Sequence, residues 1–464
     1  MDRQPCIKAA KLGLQIYFKP PPTFMAPLLT IEQQPQLKMP SRLDSPFNLQ
    51  TCARPNILAL EPYRCARDDY KDDGTNILLD ANENAYGPSL PDSTTSNHSL
   101  NFRGLNRYPD PHQHPLKSLL CNLRNTHHHT DRSLHPLNLF LGVGSDEAID
   151  ALLRCFCTPS VDSILVCPPT YGMYSVSAQV NDVALVKVPL SPAPEFGLDV
   201  PAILDTLSKP QPKPIKLIYI CSPGNPTGSL IPKEQIEQIL LHKTWNGIVV
   251  VDEAYIDFSP EGSSLAEWVN EWPNLVVLQT LSKAFGLAGI RLGAAFASVE
   301  VAALLNNLKA PYNISSPTEA LASQALQEDG LSVMRTHKEK IVGQRERLLK
   351  ELPKVKGVGR FRGGVASNFL LVEILNQEGK PDNEVARKVY ERLAENRGVV
   401  VRFRGKEHGC LGCVRITVGT EEEVTRFLGE VGVVIEEILK GEGEKVESLE
   451  AEQKKEIEAN NILA

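Results

Sequence analysis

Short, uninterrupted apolar runs recur through the middle of the chain, each followed by a polar stretch in which apolar residues return every three or four positions. The runs predict buried strands at Ser163 to Cys167, Val183 to Val188, Ile215 to Cys221, Ile248 to Val251, Leu275 to Thr280 and Gly293 to Ser298, with helices between them. An earlier strand opens the series at Leu139 in LFLGVGSDEAIDALLRCF. There a glycine turn leads into a helix with Ser145 as its expected N-cap and Asp146 and Glu147 in its first turn. Strands that do not alternate apolar with polar residues are buried on both faces. The pattern therefore predicts an α/β fold whose large domain, residues 136–330, is a mostly parallel sheet flanked by helices.

Beyond this the pattern changes. A long amphipathic helix from Leu331 to Leu352 reads as a spine linking two domains. After it come a strand (Ser367 to Ile374), a helix (Glu384 to Asn396), strands at Val399 to Phe403 and Cys413 to Val418, and a helix (Glu421 to Leu439). Together these predict a smaller C-terminal α+β domain over 331–440, with 441–464 a charged, frayed helical tail. Residues 51–135 form an N-terminal arm and small-domain segment in which order begins near Ala59, ILLDANENAYGP gives a strand and a turn, and a helix resumes around Leu116 to Arg124. The Pro- and Gln-rich residues 1–50 lack periodicity and are expected to be a disordered extension, with Met25 or Met39 as an alternative working start.

Composition narrows the class. The 464 residues are 42% hydrophobic and 23% charged, as in a globular protein large enough to bury a sizeable core. A net charge of -7 with no basic stripe argues against a nucleic-acid partner, and no run of about 18 apolar residues suggests a membrane span. Several of the ten cysteines sit inside apolar runs, which suits free thiols in a reducing compartment. A cytoplasmic location is expected, with mitochondria as the alternative. Cys410-x-x-Cys413 lacks a second pair or a spaced histidine, and His127, His128 and His129 read as a solvated loop, so no metal is expected.

The chemistry gathers just past the predicted strand ends, where an open α/β sheet binds ligands. Asp252 ends one strand with Tyr255 beyond it; Thr280, Ser282 and Lys283 end another, and Arg291 follows. A lysine can condense with an aldehyde, an aspartate can pair with a ring nitrogen, and an arginine with hydroxyls can hold a phosphate; pyridoxal phosphate needs all three. CSPGNPTG sets Asn225 in a rigid turn, PPTYGMY offers Tyr171 to stack on a ring, and the glycine turn at Ser145 and Asp146 opens a helix whose free N–H groups suit an anion. Gly142 and Gly144 hint at a dinucleotide site, but the GxGxxG spacing fails at Glu147. Arg402 and Arg415 come from strands, where an unpaired charge is costly, so each should meet an anion.

These motifs in this order, EPYRCAR, LDANEN, NRYPDP, GSDEAID, PPTYGMYSVSA, SPGNPTG, VVDEAYIDF, TLSKAFGLAGIRLG and CVRITVGT, resemble the fold type I pyridoxal-phosphate-dependent aminotransferases, and among them the histidinol-phosphate aminotransferases, from about Leu60 to Leu439. The resemblance implies transamination of L-histidinol phosphate with 2-oxoglutarate in histidine biosynthesis. It implies that Lys283 holds the cofactor and moves the proton, that Asp252 pairs with the ring nitrogen, and that Asn225 and Tyr255 bond the ring hydroxyl. Tyr171 would lie on the ring face, with Ser145, Asp146, Thr280, Ser282 and Arg291 around the cofactor phosphate. Tyr63, Asn368, Arg402 and Arg415 would bind substrate, glutamate included. Tyr108 would reach the neighbouring site of a homodimer. In the wider class Asn is commoner than Gly224 before Asn225, a departure that alters the turn alone.

Overall fold

The computed structural model describes residues 45–59, 104–191 and 196–462, with side chains as far as Gly441. Tyr63, the LDANEN strand and residues 1–44 lie outside the described residues, as do the alternative starts at Met25 and Met39.

Seven strands make one sheet: β1 (Leu139–Val143), β2 (Ser163–Val166), β3 (Ala184–Lys187), β4 (Ile215–Cys221), β5 (Ile248–Asp252), β6 (Leu275–Thr280) and β7 (Leu292–Phe296). Their order is β1-β7-β6-β5-β4-β2-β3. The expected mostly parallel sheet is present, with one departure: β7 runs antiparallel to both β6 and β1. It enters from a single helical turn, Ala288–Ile290, after which Arg291 adopts a left-handed backbone (φ 54°).

The apolar runs lack alternation because successive residues feed two cores. In β5, Val249 and Val251 face one cluster with Ile218, Ile220, Leu275 and Val277, while Ile248 and Val250 face the other with Leu217, Tyr219, Val276 and Leu278. Each fully buried valine contributes about 1.5–3 kcal/mol of transfer free energy. Helices cover both faces. Gly144–Phe156, Met173–Val180 and Val299–Leu308 bury residues in the second cluster, and His114–Arg124, Val200–Ser208 and Lys233–Leu240 bury theirs in the first.

A second, four-stranded sheet follows the helix Glu328–Glu351: β8 (Val358–Arg362), β9 (Phe369–Ile374), β10 (Arg402–Phe403) and β11 (Cys413–Thr417), in the order β10-β11-β9-β8 and antiparallel throughout. β8 is an addition to the sequence-based expectation. Its run VGRFR carries two arginines and a glycine, and its pairing with β9 is irregular between Val358 and Phe361. β10 is shorter than expected because Gly398 (φ 62°) is still ending the helix Asn383–Arg397 and the Val399 N–H caps Leu393, leaving Val400 77% exposed.

Further differences are local. Two single-turn helices, Leu49–Cys52 and Pro55–Leu58, stand ahead of Ala59 and pack Cys52 and Ile57 into the second cluster. The last helix runs from Glu421 through Ile462, so the charged tail continues a helix. The histidine loop is anchored as well as solvated: the buried Glu267 carboxylate accepts the N–H groups of Thr126, His127 and His129. The eight described cysteines are free thiols, seven of them buried. Among the described residues no helix is long and apolar enough to cross a membrane, and no cluster of three His, Cys, Asp or Glu side chains is placed to hold a metal ion.

Candidate active site

The carboxyl ends of β4, β5 and β6 lie level with one another, Cys221 opposite Asp252 and Asp252 opposite Leu278. Beyond them opens a cavity of about 480 Å³. Its floor and walls bring together Asp252, Tyr255, Lys283, Thr280, Ser282 and Arg291 with Ser145, Asp146, Tyr171 and Asn225; Arg402 and Arg415 reach it from the second sheet. Twelve of the fifteen expected site residues therefore share one cavity. Of the other three, Tyr63 is outside the described residues. Asn368 stands one residue ahead of β9 with its carbonyl capping Val418, and does not line the cavity. Tyr108 is 49% exposed, stacked on Tyr312 at 4.6 Å, and is also off the cavity wall.

Asp252 is 2% exposed. Burial drives its carboxyl above the usual carboxylate range, opposed by a hydrogen bond that Tyr174 donates to Oδ2 (2.7 Å) and one from the Ala254 N–H to Oδ1 (3.1 Å). Tyr174 was not among the expected residues. It sits three positions after Tyr171, one helical turn onward, and its ring is held between Tyr219 (4.8 Å, stacked) and Tyr171 (5.6 Å, edge-on). A buried carboxylate of this kind needs a cationic or donor partner on the cavity side.

Lys283 follows β6 with Nζ 5.6 Å from the Tyr255 ring centroid. Its side chain opens onto the cavity, yet desolvation first and Arg415 second hold its basicity below that of a free lysine. More free amine is available at neutral pH as a result. Tyr255 is nearly buried, edge-on to Phe369 at 5.1 Å, and burial pushes its hydroxyl up, so it stays protonated as a donor.

The glycine turn after β1 forms the opposite wall. The helix begins at Gly144, with Val143 in the N-cap position expected of Ser145, and the Glu147 carboxylate accepts the Val143 N–H. Ser145 and Asp146 thus lie in the first turn, whose amides have no intrahelical acceptor. Gly144 takes φ +76°, a backbone angle that side chains rarely adopt, and a Cβ there would lie 2.5 Å from Arg291 Nη2 and push that guanidinium aside. The Asp146 carboxylate holds both neighbours, accepting from Tyr171 Oη (3.1 Å) and lying 3.5 Å from Arg291 Nη2. The Thr280 hydroxyl is 2.9 Å from both the Leu292 carbonyl oxygen and Ser282 Oγ, so it fixes the turn that presents Ser282.

Asn225 comes from the turn after β4, and its Oδ1 accepts from Arg415 Nη1, leaving the amide NH₂ to donate elsewhere. This turn also ties the second sheet to the cavity, because the Gly364 and Ala366 N–H groups donate to the Thr227 and Gly228 carbonyls. At Gly224 a Cβ would lie 2.3 Å from Thr227 Oγ1, so a side chain there would turn the Thr227 hydroxyl aside. The donor set fits a phosphorylated pyridine aldehyde. An amine faces a buried carboxylate across one cavity, and hydroxyls, a guanidinium and open amides cluster at the helix start on one side.

Comparison with known proteins agrees with this geometry. The sequence pattern of the family described as aminotransferase class I and II matches residues 75–431. Histidinol-phosphate aminotransferase of Candida maltosa is 52% identical over 396 residues, spanning 84% of this chain and 99% of that protein. The Saccharomyces cerevisiae protein of the same name is 48% identical over 390 residues, 82% of this chain and 96% of the other. Among solved structures, the histidinol-phosphate aminotransferase of Clostridium acetobutylicum superposes with a TM-score of 0.62 at 24% identity, covering 76% of this chain and 98% of that one. That of Sinorhizobium meliloti, in complex with pyridoxal-5'-phosphate, gives 0.62 at 23% identity over 77% and 90%.

Proposed function

The chain belongs to the class I and II aminotransferase family, and on that premise we propose that it transfers the amino group of L-histidinol phosphate to 2-oxoglutarate, giving imidazole acetol phosphate and L-glutamate in histidine biosynthesis. The observation that carries the reading is the meeting of Lys283, Asp252 and the arginines of the second sheet in one cavity. When bound, pyridoxal phosphate supplies an aldehyde that condenses with amines and a protonated ring that withdraws electrons.

The chain's own residues do the rest. Lys283 holds the group, then takes the proton from the amine-bearing carbon of the substrate and returns it, a step in which a positioned base contributes about 100 to 10,000-fold. Its lowered basicity suits the task. Asp252 would hold the proton on the ring nitrogen, and the hydrogen bonds from Tyr174 and Ala254 favour its ionised form against the burial that raises it. Asn225 and Tyr255 would hold the ring by its hydroxyl, and Tyr171 would lie against it. Ser282, Arg291 and the Ser145 and Asp146 amides would hold its phosphate, with Thr280 steadying Ser282. Arg402 and Arg415 take the anionic end of the substrate. Guanidinium forks match carboxylate and phosphate alike, so glutamate uses the same arginines in the returning half-reaction. Tyr63 and Asn368 are assigned to the substrate side on the family resemblance.

We read the two sheets as the large domain of 136–330 and the small domain of 331–440, and the protein as a homodimer in which Tyr108 serves the neighbouring site. Support for the last point is that Tyr108, half exposed on its stack with Tyr312, lies off its own chain's cavity. Free buried thiols favour the cytoplasm over an oxidising compartment. The test is direct. Purified protein supplied with pyridoxal phosphate, histidinol phosphate and 2-oxoglutarate should form glutamate in step with loss of the phosphorylated amine; no glutamate from that mixture, with carbon dioxide released when a phosphorylated amino acid such as threonine phosphate replaces histidinol phosphate, would assign a decarboxylase instead.

A further inference from the structure

A third arginine, Arg404, lines the same cavity and has no role in the account above. The register explains how it arrives there. Arg402 and Arg415 stand directly opposite each other across the β10–β11 ladder, and the Arg404 N–H donates to the Cys413 carbonyl, carrying the pairing one residue past Phe403. Residues two apart on a strand share a face, so Arg402 and Arg404 project together beside Arg415. Like charges directly opposite on a ladder are destabilising. Three on one face call for an anion.

The hydrogen bonding points the same way. Arg404 Nη1 is held by Glu407 Oε1 at 2.7 Å and Arg415 Nη1 by Asn225, yet Nε of Arg404 and Nε of Arg415 are among the few buried side-chain polar atoms of the described residues that have no partner. Both guanidiniums line one cavity and each keeps a donor without an acceptor, a set matched by an anion with several oxygens in a tetrahedral array. Charge also selects. Arg402, Arg404 and Arg415 bring three positive charges and Glu407 removes one, leaving a net of two, which balances a phosphate dianion and exceeds a single carboxylate.

We infer that Arg404, oriented by Glu407, is the residue that makes this cavity prefer a phosphate monoester over a carboxylate at the distal end of the substrate. The inference rests on the substrate assignment above and adds a division of labour: Arg415 and Arg402 serve both substrates, and Arg404 serves the phosphorylated one.

The test uses the holoenzyme and Arg404→Gln, with the two half-reactions measured separately. KM for histidinol phosphate should rise about tenfold to a hundredfold, the range expected for one lost charge-assisted hydrogen bond, with kcat within about twofold. The glutamate half-reaction and any turnover of unphosphorylated histidinol should change by less than about threefold. Arg404→Lys, which keeps the charge and loses the fork, should fall between parent and Gln variant, and an unchanged unfolding midpoint in both variants would show that the fold is intact. Equal losses for glutamate and histidinol phosphate, or no loss for either, would overturn the role of Arg404. A parent enzyme that ignores histidinol phosphate but transaminates another amine would instead overturn the substrate assignment, and the two failures are told apart by the parent alone.

Discussion

Tyr174→Phe removes a single oxygen from the site and leaves its hydrocarbon in place. The ring is fully buried, stacked on Tyr219 and edge-on to Tyr171, so a phenylalanine fills the same space and the core keeps its packing. What is lost is the hydrogen bond to Asp252 Oδ2. A hydrogen bond to a charged group contributes about 1.5–3 kcal/mol, and 1.4 kcal/mol is about tenfold in an equilibrium. The balance between ionised and neutral Asp252 should therefore shift toward neutral by about tenfold to a hundredfold.

The sign follows from the causes. Burial already favours the neutral carboxyl, and Tyr174 is the first of the groups that oppose it, so removing the hydroxyl makes Asp252 take up a proton at higher pH. A neutral Asp252 no longer holds a proton on a ring nitrogen, and activity should fail first on the acidic side. The assay is kcat against pH for parent and variant, saturated with cofactor. The expected result is an acidic limb displaced to higher pH and a plateau rate approached only in alkaline buffer, with the unfolding midpoint little changed. An acidic limb in the parental position together with parental kcat would refute the idea that Tyr174 sets the charge of Asp252.

Other perturbations separate the remaining parts. Lys283→Ala should abolish the visible absorbance of the covalently held cofactor and lower turnover by at least about 100 to 10,000-fold, with retention of parental rate counting against the assignment. Gly144→Ala drives a Cβ to within 2.5 Å of Arg291 Nη2 at a backbone angle that alanine resists, so cofactor dissociation followed by dialysis should quicken by about tenfold or more. Lys117 is 6% exposed, and burial, then Lys309, lowers it to about 7. Between that value and the unfolded pKa of 10.5 the unfolded chain holds a proton the folded one gives up, so the folded state gains stability as pH rises through this window and is penalised below it. Lys117→Met should raise stability at pH 6 by about 2 kcal/mol, less than the full linkage because the bond to Asn306 is lost, and should flatten the rise in melting temperature between pH 7 and 10.

Most of the large sheet was legible because each of its strands answers to a purely local signal. Ile215–Cys221 and Leu275–Thr280 appear at the expected limits, since an apolar β-branched run ending in turn formers admits little else. The antiparallel course of β7 was not legible: Leu292–Phe296 has the same composition as its parallel neighbours, and direction is decided by the short path from β6 through the Ala288–Ile290 turn. β8 was missed because only Val358 of its five residues is fully buried. Tyr174 was hidden for another reason. PPTYGMY offers two tyrosines, and only the helix that starts at Met173 decides that the second one turns inward to Asp252 while the first faces the cavity.

Arg404 exposes the limit most clearly. The spacing R-x-R was visible in VRFRG, and two arginines on one face of a strand were a readable signal; the cross-strand register that sets Arg415 against them was not, because it depends on where the Gly409 to Gly412 turn closes. Once that register is fixed, three guanidiniums line the cavity that also holds the buried Asp252 and Lys283, whose basicity is depressed by both burial and Arg415. Separated charges of this kind are poor for folding and good for binding, since Glu407 offsets only one of the three arginines and Asp252 is met only by the neutral donors Tyr174 and Ala254. A cation is required at Asp252 and a polyanion at the arginines, and the pairing of a protonated pyridine ring with a phosphorylated amine meets both demands at once.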